Sequence, residues 1–117
     1  MLKSFTFALS GLVAAIKEER NLKIHLAAAL LVTVLGFVFQ LRLWEWAVIS
    51  LTVFLVLVAE LINTAIEKAV DLAVDGRLHP LAKTAKDVAA AAVLLAAVNA
   101  VIVGLIIFGS RIWVRMI

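Results

Sequence analysis

The chain contains no cysteine, so neither a disulfide nor a thiolate metal site is available to it. Charge is scarce: Asp, Glu, Lys and Arg make up 16% of its 117 residues, against about a quarter in soluble domains. Glycine stands alone at Gly11, Gly36, Gly76, Gly104 and Gly109, which excludes a Walker P-loop or a Gly-rich kinase loop as the means of holding phosphate. No repeat of solenoid length and no low-complexity tail is present. What is abundant is apolar. The hydrophobic share is 66% and the mean hydropathy +1.18, well above the roughly 45–50% apolar usage of soluble domains. These values indicate an all-α membrane protein, and a chain this short forms a single domain over residues 1–117. With a net charge of +3 and a pI near 9.7, its basic residues face anionic lipid, nucleotide phosphates or the cytoplasm rather than nucleic acid.

In order along the chain, Leu2, Phe5, Leu9, Leu12, Val13 and Ile16 recur at helical spacing, with Lys3, Ser10 and Lys17 largely off that face. This predicts an amphipathic surface helix over 1–20, lying along the bilayer interface. Lys3 before an apolar stretch is reminiscent of a leader peptide, but the helical period and the lack of a small-x-small cleavage site argue against one. After the charged run Lys17–Arg20, a first membrane helix is expected over 22–41. Gln40, Arg42, Trp44, Glu45 and Trp46 mark the far interface, with Trp44, Trp46 and Trp113 as belt residues. A second membrane helix covers 44–75, stopped at Asp75-Gly76, and Pro80 suits the start of a third over 81–110. Ala85, Ala89, Ala92, Ala96 and Ala100 give that helix a small-residue face for packing on a neighbour, and Asn99 is expected to hydrogen-bond between helices.

Eight of the eleven basic residues lie before the first span or around the second loop: Lys3, Lys17, Arg20, Lys23, Lys68, Arg77, Lys83 and Lys86. Only Arg42, Arg111 and Arg115 lie on the other side, which places the N-terminus in the cytoplasm. Seven of the eight acids share the cytoplasmic side, Glu45 being the exception. The chemistry is expected there.

The stretch Ala59–Asp71, AELINTAIEKAVD, carries the clearest signal. At ~100° per residue, Glu60, Asn63, Glu67 and Asp71 share a sector about 80° wide and form a stripe roughly 16 Å long. An ionisable group at membrane depth costs at least ~2.5 kcal/mol unless paired, hydrated or bound to a cation. Carboxylates suit Mg²⁺, which takes one or two of them and completes its shell with water and phosphate. Lysine supplies a point charge for phosphate oxygens. Glu19, Glu60, Asn63, Glu67, Lys86 and Asp87 thus contain the parts for phosphoryl transfer. Composition alone also allows ion conduction or a structural polar network. A conducting pore would continue the polar track toward the far side, yet between Trp46 and Ala59 only Ser50 and Thr52 are polar.

AELINTAIEKAVDL at 59–72 resembles the signature of the small prokaryotic integral-membrane diacylglycerol kinases, E-x-x-N-[ST]-x-[IV]-E-x-x-V-D. HPLAKTAKDVAAAAVLLAA at 79–97 and EERNLKIH at 18–25 are similar to further blocks of that family, in the same order. The resemblance implies a homotrimer with active sites shared between subunits in the bacterial inner membrane. It also implies ATP with Mg²⁺ as donor and a lipid alcohol as acceptor. By position, Glu60 matches the general base, and Glu19 and Glu67 the carboxylates that hold the divalent cation. Asn63 matches an orienting amide, Lys86 the phosphate-binding lysine, Asp87 its acidic neighbour, and Asp71 a second acid on the nucleotide side. Glu19, Arg20, Asn21 and His25, with the run at 79–83, look like the Gram-positive branch, which implies undecaprenol as acceptor, with diacylglycerol the alternative. His25 is expected to be an interfacial or nucleotide-side hydrogen-bonder.

Overall fold

The computed structural model describes residues 1–116 and consists of four helices: α1 (Leu2–Glu18), α2 (Arg20–Val38), α3 (Leu43–Val74) and α4 (Pro80–Met116). No strand occurs among the described residues. Three helices, α2, α3 and α4, are long and apolar enough to cross a membrane. The spans expected at 22–41, 44–75 and 81–110 each fall on one of them. The last helix runs on past Ser110 through Arg111 and Arg115, since no proline or glycine follows Gly109 to stop it.

The helix ends follow from local chemistry. At the end of α2 the Leu41 N–H donates to the Gly36 carbonyl (3.1 Å) and the Gln40 N–H to that of Phe37 (3.2 Å). This is a Schellman closure, with Gln40 in the left-handed region at φ 54°. The expected stop after the second span is present: Asp75 and Gly76 both take positive φ, 48° and 79°, and turn the chain away from α3. Pro80 opens α4, where the His79 Nδ1 accepts the Leu81 N–H at 3.0 Å and satisfies one of the orphan donors of the first turn.

Helix α3 is central. One third (33%) of its most apolar stretch is buried within the chain, against 11% for α2 and for α4. It packs mainly along α4 and more lightly against α2, while α1 touches α2 and α3 only near its end, where Ala15 is buried. The rest of α1, including Leu2, Phe5, Leu9 and Val13, is exposed. On α4, Ala89 and Ala96 are buried and Ala85 and Ala100 half-buried, as a small-residue packing face requires. Ala92 departs from that expectation and is exposed. Asn99 faces outward and makes no hydrogen bond to another helix among the described residues of this chain.

The apolar core lies in the half of the bundle remote from the 75–79 turn. Leu41, Ile49 and Ile107 form its centre, with Val32, Phe39, Trp46, Val53, Val103 and Phe108 around them. Trp46 is therefore more than a belt residue. Its ring seats on Gly36 so closely that an added Cβ would stand 2.8 Å from Cζ2 and nearer still to Cη2. Phe37 holds the ring from the side, with centroids 4.9 Å apart. Gly36→Ala should therefore cost about 1–3 kcal/mol, the usual penalty for overpacking. Thermal denaturation in detergent checks this, and an unchanged midpoint would show that the indole yields freely.

Candidate active site

The phase of α3 places the acidic stripe as its spacing requires. Glu60 is 2% exposed and Asn63 8%, Glu67 is half-buried, and Asp71 is exposed near the turn. The stripe thus runs from the protein interior outward. Glu60 and Leu22 are the largest side chains buried to this degree. The position nearest a cation-forming group is taken by His25 of α2, whose Nε2 lies 3.6 Å from Glu60 Oε2. Glu19 and Glu67 stand within electrostatic reach of the same carboxylate. One residue thereby joins the site that sequence reasoning gave no catalytic place: His25, expected as an interfacial or nucleotide-side hydrogen-bonder, faces the buried inner end of the stripe. Helix phase gave no signal for this, since at ~100° per residue His25 lies about 120° around α2 from the position of Glu19.

Glu19 is the only residue between α1 and α2. Its backbone is extended (φ −101°, ψ 112°); its N–H donates to the Ala15 carbonyl at 2.8 Å and its carbonyl accepts the Lys23 N–H at 3.3 Å. No side-chain cap bond forms, so the carboxylate is left for other use. The adjacent Glu18 is engaged on the surface by Lys68 at 2.9 Å.

Asn63 donates from Nδ2 to Glu67 Oε1 at 3.5 Å, and its Oδ1 is buried without a hydrogen-bond partner. Thr64, also buried, spends its hydroxyl on the Glu60 carbonyl at 3.0 Å. At the outer end Lys86 of α4 pairs with Asp71, crossing from one helix to the other. Asp87 is not brought to the stripe: it is exposed and paired with Lys83 one turn earlier at 2.7 Å.

Two clefts adjoin these residues. One, of about 390 Å³, lies at the turn between α3 and α4 and is lined by Asp71, Arg77, His79, Lys83 and Lys86 with apolar neighbours. The other, of about 250 Å³, opens where α2 and α4 stand apart over α3. Its walls are Ala28, Ala29, Val32, Val53, Val56, Ala97, Ala100 and Val101, and its one polar side chain is His25. A cationic cleft and an apolar cleft thus flank opposite ends of one carboxylate stripe.

Among the described residues no three His, Asp or Glu side chains converge closely enough to hold a metal by themselves. Mg²⁺ asks for less, one or two carboxylates with oxygens from water and phosphate. Glu67, steadied by Asn63, and the Glu19 carboxylate, which makes no cap bond, are a hard-oxygen pair of that kind, and the orphaned Asn63 Oδ1 beside Glu67 leaves a polar acceptor free for a further group.

Residues 6–108 match the family model described as prokaryotic diacylglycerol kinase. The chain belongs to that family. The kinase is 47% identical over 106 residues to the undecaprenol kinase of Bacillus subtilis, covering 91% of this chain and 85% of that one. It is 46% identical over 104 residues to a diacylglycerol kinase of Synechocystis, covering 89% of this chain and 59% of the relative. With the diacylglycerol kinase of Escherichia coli K12 the identity is 32% over 111 residues, 95% and 90% of the two chains. The protein is a multi-pass membrane lipid kinase, and ATP is its co-substrate.

Proposed function

We propose that this kinase phosphorylates undecaprenol to undecaprenyl phosphate at the cytoplasmic face of the bacterial inner membrane, with diacylglycerol as the alternative acceptor. One observation carries the reading. A buried carboxylate, Glu60, meets His25 at the polar end of an apolar cleft that opens sideways between α2 and α4. A lipid tail fits that cleft while its hydroxyl reaches the stripe. Undecaprenol is favoured over diacylglycerol by the Gram-positive-type residues Glu19, Arg20, Asn21 and His25 and the run at 79–83; identity does not separate the two acceptors, at 47% to the Bacillus undecaprenol kinase and 46% to the Synechocystis diacylglycerol kinase.

In this mechanism the lipid hydroxyl attacks the γ-phosphorus of ATP in line. A new O–P bond forms, the bond to the β-phosphate oxygen breaks, and ADP leaves. Glu60 accepts the hydroxyl proton, and its burial beside a lipid cleft lets that transfer occur out of bulk water. Asn63 Oδ1 orients the attacking group. Glu19 and Glu67 would hold Mg²⁺, which supplies charge neutralisation on the transferring phosphoryl oxygens. Lys86 exchanges Asp71 for phosphate oxygens, and Asp71 and Asp87 border the nucleotide side with the cations of the turn. The ion-conduction alternative meets an obstacle: beyond Thr52, whose hydroxyl is spent on the Val48 carbonyl, the track runs into the Leu41–Ile49–Ile107 cluster.

The assembly is a homotrimer with shared sites, the N-terminus is cytoplasmic, α1 lies on the membrane surface and the whole of 1–117 forms one domain. In support, α2 and α4 each leave most of their apolar surface outside the chain, and Asn99 and Ala92 face outward from α4. Labelled-ATP transfer in mixed micelles, offering undecaprenol and diacylglycerol separately, tests the substrate. Product with undecaprenol in excess supports the assignment, product with diacylglycerol alone reverses it, and no product with either removes it. Lys86→Ala should raise the KM for ATP by about 10–100-fold, the value of one charged hydrogen bond, with a smaller change in the KM for lipid. Steady-state kinetics with each substrate varied would reveal the opposite pattern if Lys86 served the acceptor.

A further inference from the structure

The end of the bundle opposite the acidic stripe carries a third cleft, of about 390 Å³, that phosphoryl transfer does not use. It is formed by the end of α2, the start of α3 and the end of α4. Arg42, Arg111 and Arg115 all line it, with Glu45 as the one carboxylate. Glu45 is consumed: it accepts from Arg111 and takes the Arg42 N–H at 2.9 Å. Arg111 is consumed as well, donating to the Phe39 and Gln40 carbonyls at 3.3 Å each. Arg115 lies 5.1 Å over the Phe39 ring, which fixes its position and leaves its outer edge available. Neither Arg42 nor Arg115 pairs with a carboxylate among the described residues. Three guanidiniums against one carboxylate leave a formal charge of +2 in the cleft. Gln40 and Ser110 are its neutral polar lining, and the remaining walls are apolar or aromatic: Phe39, Trp44, Ile106, Ile107 and Val114.

We propose that this cleft is a binding site for the phosphodiester headgroup of an anionic phospholipid at the far membrane interface. Guanidinium matches phosphate oxygens in a planar, two-pronged geometry that an ammonium lacks. The apolar wall beside it accommodates the first carbons of the acyl chains, and Trp44 sits at the depth where glycerol and carbonyl groups lie. The excess positive charge selects a lipid with net negative charge over a zwitterionic one carrying the same phosphate. The site is independent of the kinase reaction and fails or stands separately from it.

The test uses the full chain in nanodiscs of phosphatidylcholine with titrated phosphatidylglycerol, counting retained lipids by native mass spectrometry. Arg42→Gln with Arg115→Gln should weaken phosphatidylglycerol retention about 30-fold, roughly fivefold per guanidinium. The cytoplasmic-side control Lys3→Gln with Lys17→Gln should leave this class of bound lipid in place. Inorganic phosphate should not displace it. If the double variant does not fold, the single variants are read instead, each expected about fivefold weaker. Retention within twofold of wild type in the folded variants, displacement by inorganic phosphate, or equal retention of phosphatidylcholine would each overturn the proposal.

Discussion

Glu60→Gln is expected to lower kcat by about 10³-fold or more, within the ~10²–10⁴ supplied by a positioned general base. The KM for ATP should change little, because the proposed nucleotide contacts lie further along the stripe. The same substitution should raise thermal stability. A carboxylate 2% exposed, whose nearest cationic partner is a histidine at 3.6 Å, is poorly compensated, and the isosteric amide removes the buried charge. The two effects together separate a catalytic from a structural carboxylate. A structural one would lose midpoint temperature and keep turnover once folded. Transfer assays in mixed micelles beside thermal denaturation of the same preparation would decide it; wild-type turnover in the variant removes Glu60 from the chemistry.

Arg111→Gln should be the most damaging single change to the fold, at about 2–4 kcal/mol. Breaking a fully buried pair by removing one partner costs about 3–5 kcal/mol, and the value is lowered here because Arg111 remains 26% exposed. The guanidinium binds the end of α4 to two carbonyls at the end of α2 and to Glu45 at the start of α3. Without it, Glu45 is left nearly buried with only the Arg42 N–H to satisfy it. Removing both charges, in Arg111→Gln with Glu45→Gln, should cost less than the two single changes added together. Turnover per folded molecule should stay near wild type, since Glu45 and Glu60 are about 22 Å apart along α3 at ~1.5 Å per residue. Denaturant unfolding in micelles measures the cycle. Strict additivity would mean that the pair does not couple the three helices.

What the sequence showed and what it hid divide along physical lines. Glu60, Asn63 and Glu67 could be placed on one face because a single helix phase fixes all three, and no tertiary knowledge is needed. Asp75-Gly76 and Pro80 were legible because turns and helix starts are local chemistry. The break at Glu19 was not, since Lys17–Arg20 holds neither glycine nor proline, and helix phase alone could not choose Glu19 over Glu18. The family register made that choice, and Glu18 is engaged by Lys68 at 2.9 Å. Glu45 looked like an interface marker because its partner, Arg111, stands 66 residues away. What His25 faces was not legible, because only the approach of α2 to α3 brings it to Glu60. Asn99 was expected to bond between helices; its outward direction depends on how α4 rolls against α3.

Glu19 is both the last residue capping α1 and the first capping α2, with nothing but its own two dihedral angles joining them. With α1 on the membrane surface, as proposed above, the arm has a carboxylate mounted on its pivot. Tilting the arm by a few degrees swings that carboxylate relative to Glu67, which is anchored on a different helix. On the proposed Mg²⁺ role of Glu19 and Glu67, surface tension, headgroup crowding or the choice of detergent would then register as a change in the magnesium concentration needed for half-maximal rate.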